Sequence, residues 1–303
     1  REMEGEEGAL HRFPYLDGRT IVTSRSGVRD DEGEGLAVGP FEEDEAVAWV
    51  VSRAKGWKGQ EEGVRAFVRR LNCYPLALRQ AVEYSVSMRL AGPYEYLAEM
   101  DGRKEREWLD KRRSHHGGSS YPLAFVEVMH ISVGKIIDAG GDDSEEAVRL
   151  LRYLSLLHPA EIPVDLVPRE WRPHLDLLQS QSLVMDAGES RRAVRMHSIT
   201  QEVVRTHLMG HSREEMVGLA AEQLLTLVAG IDGGNPLTFF IGWMCEPHVQ
   251  LLVENVGTEV PEACVEMLSI LATGLGDFLS QIGGRFEEAM SLCRWVLEIQ
   301  LKA

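Results

Sequence analysis

The stretch Leu71-Asn72-Cys73-Tyr74-Pro75-Leu76-Ala77-Leu78-Arg79-Gln80-Ala81-Val82-Glu83-Tyr84-Ser85 decides how the rest of the chain is read. Its first three residues close a helical pattern that begins near Glu61. Pro75 then opens a new helix, because proline lacks the N–H that would be unpaired in a first turn anyway. Leu76, Leu78, Ala81, Val82 and Val86 follow at helical spacing, so one face is apolar. By pattern alone this is a helix–turn–helix inside a helical bundle.

Upstream, Glu42-Glu43-Asp44-Glu45 sets negative charge where a helix N-terminus favours it, and a helix to about Arg53 is expected. A second runs from Glu61 to Leu71, a third from Pro75 to about Leu90. Pro93 opens a fourth, carrying Tyr94, Tyr96, Leu97, Met100, Trp108 and Leu109. These four form a compact bundle over residues 41–115. Farther upstream, Ile21-Val22-Thr23-Ser24 is a short β-branched run bounded by turn residues, apolar enough for a buried parallel strand. Arg25 sits at its carboxyl end, where ligands bind in open α/β sheets. A surface arginine after an edge strand is the alternative.

Downstream, Lys111 to Ser120 is the clearest linker. Its paired His115-His116 has no third ligand in sight, so a solvated basic loop is preferred to a metal site. Tyr121–Ile137 and Ser144–Leu157 read as helices, with Ser144 as N-cap. Ile162-Pro163-Val164 is a turn or short extended piece, and Pro173–Ser182 is another helix. Leu183–Asp186 and Ala193–His197 are strand-like, with Gly188-Glu189-Ser190 as a hairpin turn between them. Helices followed by a hairpin give a winged-helix shape over residues 116–210. His197 stands where the second run meets the helical pattern Ser198–Val204. There it either projects toward a ligand, or caps the helix or satisfies a buried carbonyl. From Ser212 the chain is helical again, and residues 271–301 resemble a tetratricopeptide repeat turning at Gly283-Gly284.

Composition bounds the function. The chain has 303 residues and a net charge of −16, which argues against a nucleic-acid binder despite Arg191, Arg192 and Arg195 beside the hairpin. Cys73, Cys245, Cys264 and Cys293 stand far apart with no zinc or disulfide spacing, as expected of thiols in a reducing compartment. No run of 18 apolar residues and no secretory signal occurs, so no transmembrane helix and a cytoplasmic location are expected. The chain opens on Arg1, as a piece of a longer protein would. No G-x-S-x-G, H-E-x-x-H or paired Cys/His signature supports a hydrolase.

The segment Cys73-Tyr74-Pro75-Leu76-Ala77-Leu78 resembles the "GLPLAL" motif of the NB-ARC family, signalling ATPases of the STAND class. It keeps Pro-Leu-Ala-Leu and loses Gly-Leu. Thr23-Ser24-Arg25 before it and Met196-His197 after it match two further motifs in family order. Together they resemble an NLR-like protein with a tetratricopeptide tail, of the type frequent in filamentous fungi. The resemblance implies a mainly α fold in four parts. Residues 1–40 would be the remnant of a P-loop α/β sheet, 41–115 a four-helix bundle, 116–210 a winged helix, and 211–303 a helical region leading into tetratricopeptide-like hairpins. It implies that Arg25 faces a γ-phosphate, that Pro75 and Leu76 pack against adenine, and that His197 holds the β-phosphate of ADP. The last motif reads Met196-His197-Ser198, so its aspartate is absent.

The largest departure is that no G-x-x-x-x-G-K-[ST] occurs. Gly134-Lys135 lacks both flanking elements and lies in a helical pattern. The acidic Mg²⁺-binding strand is also missing before Gly18. Without the backbone nest, the phosphate lysine and the Mg²⁺ hydroxyl, these residues supply only the lid side of an ADP/ATP site. ATP hydrolysis and Mg²⁺ binding by this chain alone are not expected. The expected role is part of a nucleotide-dependent switch with a protein-binding helical tail, able to oligomerise on activation. The alternative is a non-catalytic scaffold whose nucleotide motifs have decayed.

Overall fold

A computed structural model describes residues 39–103, 123–187, 192–231, 235–282 and 284–302. The expected strand at Ile21–Ser24, Arg25, Trp108, the linker with His115-His116 and the turn at Gly188-Glu189-Ser190 lie outside the described residues. Twelve α-helices and three short strands follow in order: α1 Glu43–Arg53, α2 Glu61–Arg70, α3 Pro75–Ser87, α4 Pro93–Arg103, α5 Leu123–Ala139, α6 Asp142–Leu154, β1 Ile162–Pro163, α7 Leu175–Ser180, β2 Met185–Asp186, β3 Ala193–Arg195, α8 Ser198–Val203, α9 Arg213–Val228, α10 Phe239–Val256, α11 Val265–Ile282 and α12 Phe286–Lys302. The described fold is mainly α, as expected.

The opening stretch behaves as its residues dictate. α2 stops because Asn72 and Cys73 both adopt φ of 52°, the left-handed conformation that ends helices. The Cys73 N–H donates to the Val68 carbonyl 2.9 Å away, which closes the turn. The Cys73 carbonyl accepts from Phe41 N–H at 3.1 Å, tying the entry of α1 to the same corner. Pro75 then sits in the first turn of α3. Gly63 in α2 is required by packing, since a Cβ there would lie 2.8 Å from the Pro93 ring at the start of α4. Trp57, Phe67, Tyr96 and Tyr84 form an edge-to-face chain with centroids 5.1 to 5.7 Å apart. Such contacts add about 0.5–1.5 kcal/mol each beyond area burial. The Tyr84 hydroxyl donates to Glu99, and Arg70 pairs with Glu127 at 2.7 Å, fastening α2 to α5.

α3 is shorter than its pattern, ending at Ser87 because Arg89 adopts φ of 54°. Ser144 is not an N-cap. α6 begins two residues earlier, at Asp142 after Gly141, and Ser144 is buried with its hydroxyl donating back to the Gly140 carbonyl at 2.9 Å. Two consecutive glycines with positive φ end α5 and start α6 sooner than the cap residue alone indicates. The expected helix Pro173–Ser182 is a 3₁₀ stretch Arg169–His174 continuing into α7.

The three strands form one antiparallel sheet in the order β1-β3-β2. Ile162 faces Val194, Pro163 faces Ala193, Met185 faces Arg195 and Asp186 faces Val194. After α8, a π-helical turn Val204–Leu208 leads to α9. Arg152 holds this turn, its Nε donating to the Leu208 carbonyl at 2.7 Å and a terminal nitrogen to Ser212 at 3.2 Å. α9, α10, α11 and α12 pack on one another. Gly242 of α10 lies so close to the Phe278 ring that a Cβ would fall 2.3 Å from it. The stretch Glu262–Gln281 reaches a mean hydropathy of 1.4 in its most apolar window, half of it buried within the protein. It is long and apolar enough to cross a membrane by length and composition, although polar residues interrupt every apolar run. Leu268, Leu271, Leu275 and Leu279 of this stretch belong to the core.

Candidate functional site

Pro75, Arg79 and Glu83 recur every four residues along α3, so they share a face of that helix. Pro75 is exposed and Leu76 half-buried at its N-terminus. Arg79 Nε donates to Glu83 Oε1 at 3.0 Å. The other Glu83 oxygen accepts from the Ser182 hydroxyl. Gln80, buried, reaches the Ser182 carbonyl at 3.4 Å. Ser182 lies between α7 and β2, in a left-handed conformation with φ of 55°. The α3 face with the Pro-Leu-Ala-Leu segment is thus seated on the corner that leads into the hairpin.

His197 is held from two sides. Met196 before it is buried, and its N–H donates to the Pro159 carbonyl at 2.9 Å, continuing the β3 edge by one residue. Gln201 after it is buried in α8, its amide nitrogen donating to the Leu154 and Leu157 carbonyls at 2.9 and 2.7 Å. These contacts fix α8 on the end of α6, and with it the junction residue. His197 is the N-cap of α8, with Nδ1 accepting from Ile199 N–H at 3.2 Å. Acceptance at Nδ1 assigns the proton of the neutral imidazole to Nε2. The ring remains surface-accessible, yet enough protein surrounds it for desolvation to lower its pKa, with the positive charge of Arg79 adding to that effect. Both causes favour the neutral ring, so at neutral pH Nε2–H is a donor aimed away from the helix it caps.

Pro75 and Leu76 thus lie on α3, which Glu83 joins to Ser182, and His197 lies at the β3–α8 junction; no hydrogen bond or ion pair among the described residues joins Pro75 or Leu76 to His197, and Arg25 lies outside the described residues. Arg79, Glu83 and Ser182 were not singled out by sequence. The Arg79/Glu83 spacing signals an ion pair on a helix face, but nothing local points from it to residues a hundred positions on. No protein-family model and no curated protein matches the chain.

The chemistry available here is limited and definite. Arg79 is 42% exposed and only its Nε is committed to Glu83 within the described residues, so its terminal nitrogens can meet an anion. His197 offers a second donor at Nε2, and Pro75 and Leu76 form an uncharged edge one turn from Arg79. Among the described residues no group of three His, Cys, Asp or Glu side chains is placed to hold a metal.

Proposed function

We propose that this chain supplies the lid side of an ADP/ATP-dependent signalling switch of the NB-ARC type. The observation that supports the reading is the hydrogen bond from the Ser182 hydroxyl to Glu83, which seats the Pro75 helix on the corner leading into the β2–β3 hairpin that ends at His197. In this reading α1–α4 correspond to the four-helix bundle. The segment α6-β1-α7-β2-β3 corresponds to the winged helix, supported by the antiparallel order β1-β3-β2 with the last strand central. α11 and α12 correspond to a tetratricopeptide-like hairpin turning at Gly284, whose φ is 60°.

The nucleotide supplies, when bound, the negative charge that bridges the two units. Pro75 and Leu76 would meet the base, His197 would donate from Nε2 to a phosphate oxygen, and Arg25 would meet the terminal phosphate. Closure is then favoured only by the extra contacts the ligand makes when both units are in place. The sequence holds no G-x-x-x-x-G-K-[ST], so in this reading the chain orients and latches but does not cleave. Mg²⁺ has no role in this half. The location is cytoplasmic and the helical C-terminal region binds protein partners.

A non-catalytic scaffold is the second reading, favoured by the apolar surface left open on α12. ADP titration of the chain joined to a P-loop half, followed by NMR, separates the two. A switch lid gives saturable shifts at the His197 ring and at the Leu76 and Ala77 amides, which Arg79→Ala or His197→Ala removes. A scaffold gives none at millimolar ADP, and that result would end the nucleotide reading.

A further inference from the structure

His248 of α10 reaches out of its own helical stack to hold a turn elsewhere in the chain. The ring is 1% exposed. Its Nδ1 accepts from His158 N–H at 3.0 Å, and it makes a second hydrogen bond to the Glu161 backbone. One imidazole thus grips both ends of the turn His158-Pro159-Ala160-Glu161, which lies between α6 and β1. Between the two grips, the Pro159 carbonyl accepts from Met196 N–H at 2.9 Å. Met196 is buried and is followed directly by His197, the N-cap of α8. A run of hydrogen bonds therefore leads from α10, through the turn, to the β3–α8 junction.

The turn is a short span between two fixed points. The Leu157 carbonyl before it accepts from the Gln201 amide at 2.7 Å, and Ile162 after it pairs with Val194. Within the span Pro159 has no N–H to give, and Ala160 and Glu161 are exposed. The grip works only with a neutral ring, because Nδ1 must present its lone pair to His158 N–H. An imidazolium carries hydrogen on both nitrogens, so its Nδ1 proton would point at the N–H it now accepts from. The surroundings oppose that charge as well. The His158 ring stands 6.1 Å away at 88°, and a positive charge on either ring disfavours one on the other. α9 and α11, the helices packed on α10, bury no charged side chain among the described residues. Glu246, two residues earlier on α10, is paired with Arg285.

We propose that His248 is an acid-operated clasp, through which α10 holds the turn His158–Glu161 and, by way of Pro159 and Met196, the position of His197. With the ring neutral the clasp is closed. In acid the ring takes up a proton and the turn lets go of α10. Pro159 then loses its hold on Met196, and the β3–α8 junction loosens while the helical core stays folded. The size of the effect follows from the two states of the ring. Held and buried, its pKa is about 4; released into water it returns to 6.5. Opening of the turn is then favoured about 30-fold more at pH 5 than at pH 7.5. The inference does not rest on the nucleotide reading, since it concerns the chain with no ligand bound.

Amide hydrogen exchange of the full chain, read by NMR and corrected for the intrinsic pH dependence of exchange, tests it. Protection at Met196 and His158 should fall about 30-fold from pH 7.5 to pH 5. Urea below the unfolding transition should leave Met196 exchange at pH 5 unchanged, because opening a turn exposes little surface, while exchange at Phe67, buried in α2, speeds up. His248→Asn offers an oxygen to His158 N–H and takes up no proton, so its protection at both amides should hold between the two pH values. His248→Leu offers no acceptor and should leave both amides poorly protected at either pH. Unchanged protection at Met196 in the wild type overturns the proposal. So does a fall that persists in His248→Asn, which would assign it to His158 or another group. Met196 exchange rising in step with Phe67 as urea increases overturns it too, because the amide would then open only when the whole chain unfolds.

Discussion

His248 makes the folded state sensitive to acid, and the effect can be worked from its surroundings. The ring is 1% exposed on α10. Its Nδ1 accepts from His158 N–H at 3.0 Å, and a hydrogen bond to the Glu161 backbone holds the other side. Burial, then the neighbouring His158, lower its pKa from 6.5 to about 4, only partly offset by the Glu161 contact. A histidine whose folded pKa is depressed binds its proton more readily when unfolded. Its contribution is complete above the unfolded value of 6.5 and is lost as pH falls toward about 4, below which the loss is constant. At about 1.4 kcal/mol per pH step, the full loss is about 3 kcal/mol, and about 2 kcal/mol of it is spent by pH 5. Urea unfolding at pH 7.5 and pH 5 measures this directly. Because other groups titrate in the same range, the comparison is with His248→Asn, whose side-chain oxygen can accept from His158 N–H without taking up a proton. The wild type should lose about 2 kcal/mol more than the variant between the two pH values. Equal losses, within about 0.5 kcal/mol, would show that His248 is hydrated or charged in the folded state and refute the reasoning.

Gly242→Ala should destabilise the stack of α9–α12 by about 1–3 kcal/mol, since its Cβ would fall 2.3 Å from the Phe278 ring; thermal unfolding reads this, and an unchanged midpoint would mean that the ring moves freely. Arg79→Gln should raise the pKa of His197 measured by NMR titration, because it removes a positive neighbour while desolvation remains; an unmoved pKa would separate α3 from the β3–α8 junction and remove the support for a shared surface. The purified chain should show no Mg²⁺-dependent ATP turnover above background, and measurable turnover would refute the lid assignment.

Local chemistry in the sequence placed much of the helical framework. Glu43-Asp44-Glu45, Pro75 and Pro93 start helices where charge and missing N–H groups require, and Gly284 separates α11 from α12. Alternation in Ala193–Arg195 gave a strand, and the change to helical spacing after it put His197 at a junction. All of these act within a turn or two of the backbone, so a short window of sequence carries them. The same window misled at Ser144, where the twin glycines ahead of it moved the helix start and buried the hydroxyl. What lay beyond it was pairing at long range. Glu83 meets Ser182 99 positions away, and His158 meets His248 across 90. Periodicity shows that α12 has an apolar side, but only packing decides that Leu292 and Ile299 are covered while Phe286, Met290, Leu297 and Leu301 are left open. The chain closes on itself to make those choices, because burial and the field felt by a charged group depend on what the whole fold places beside it.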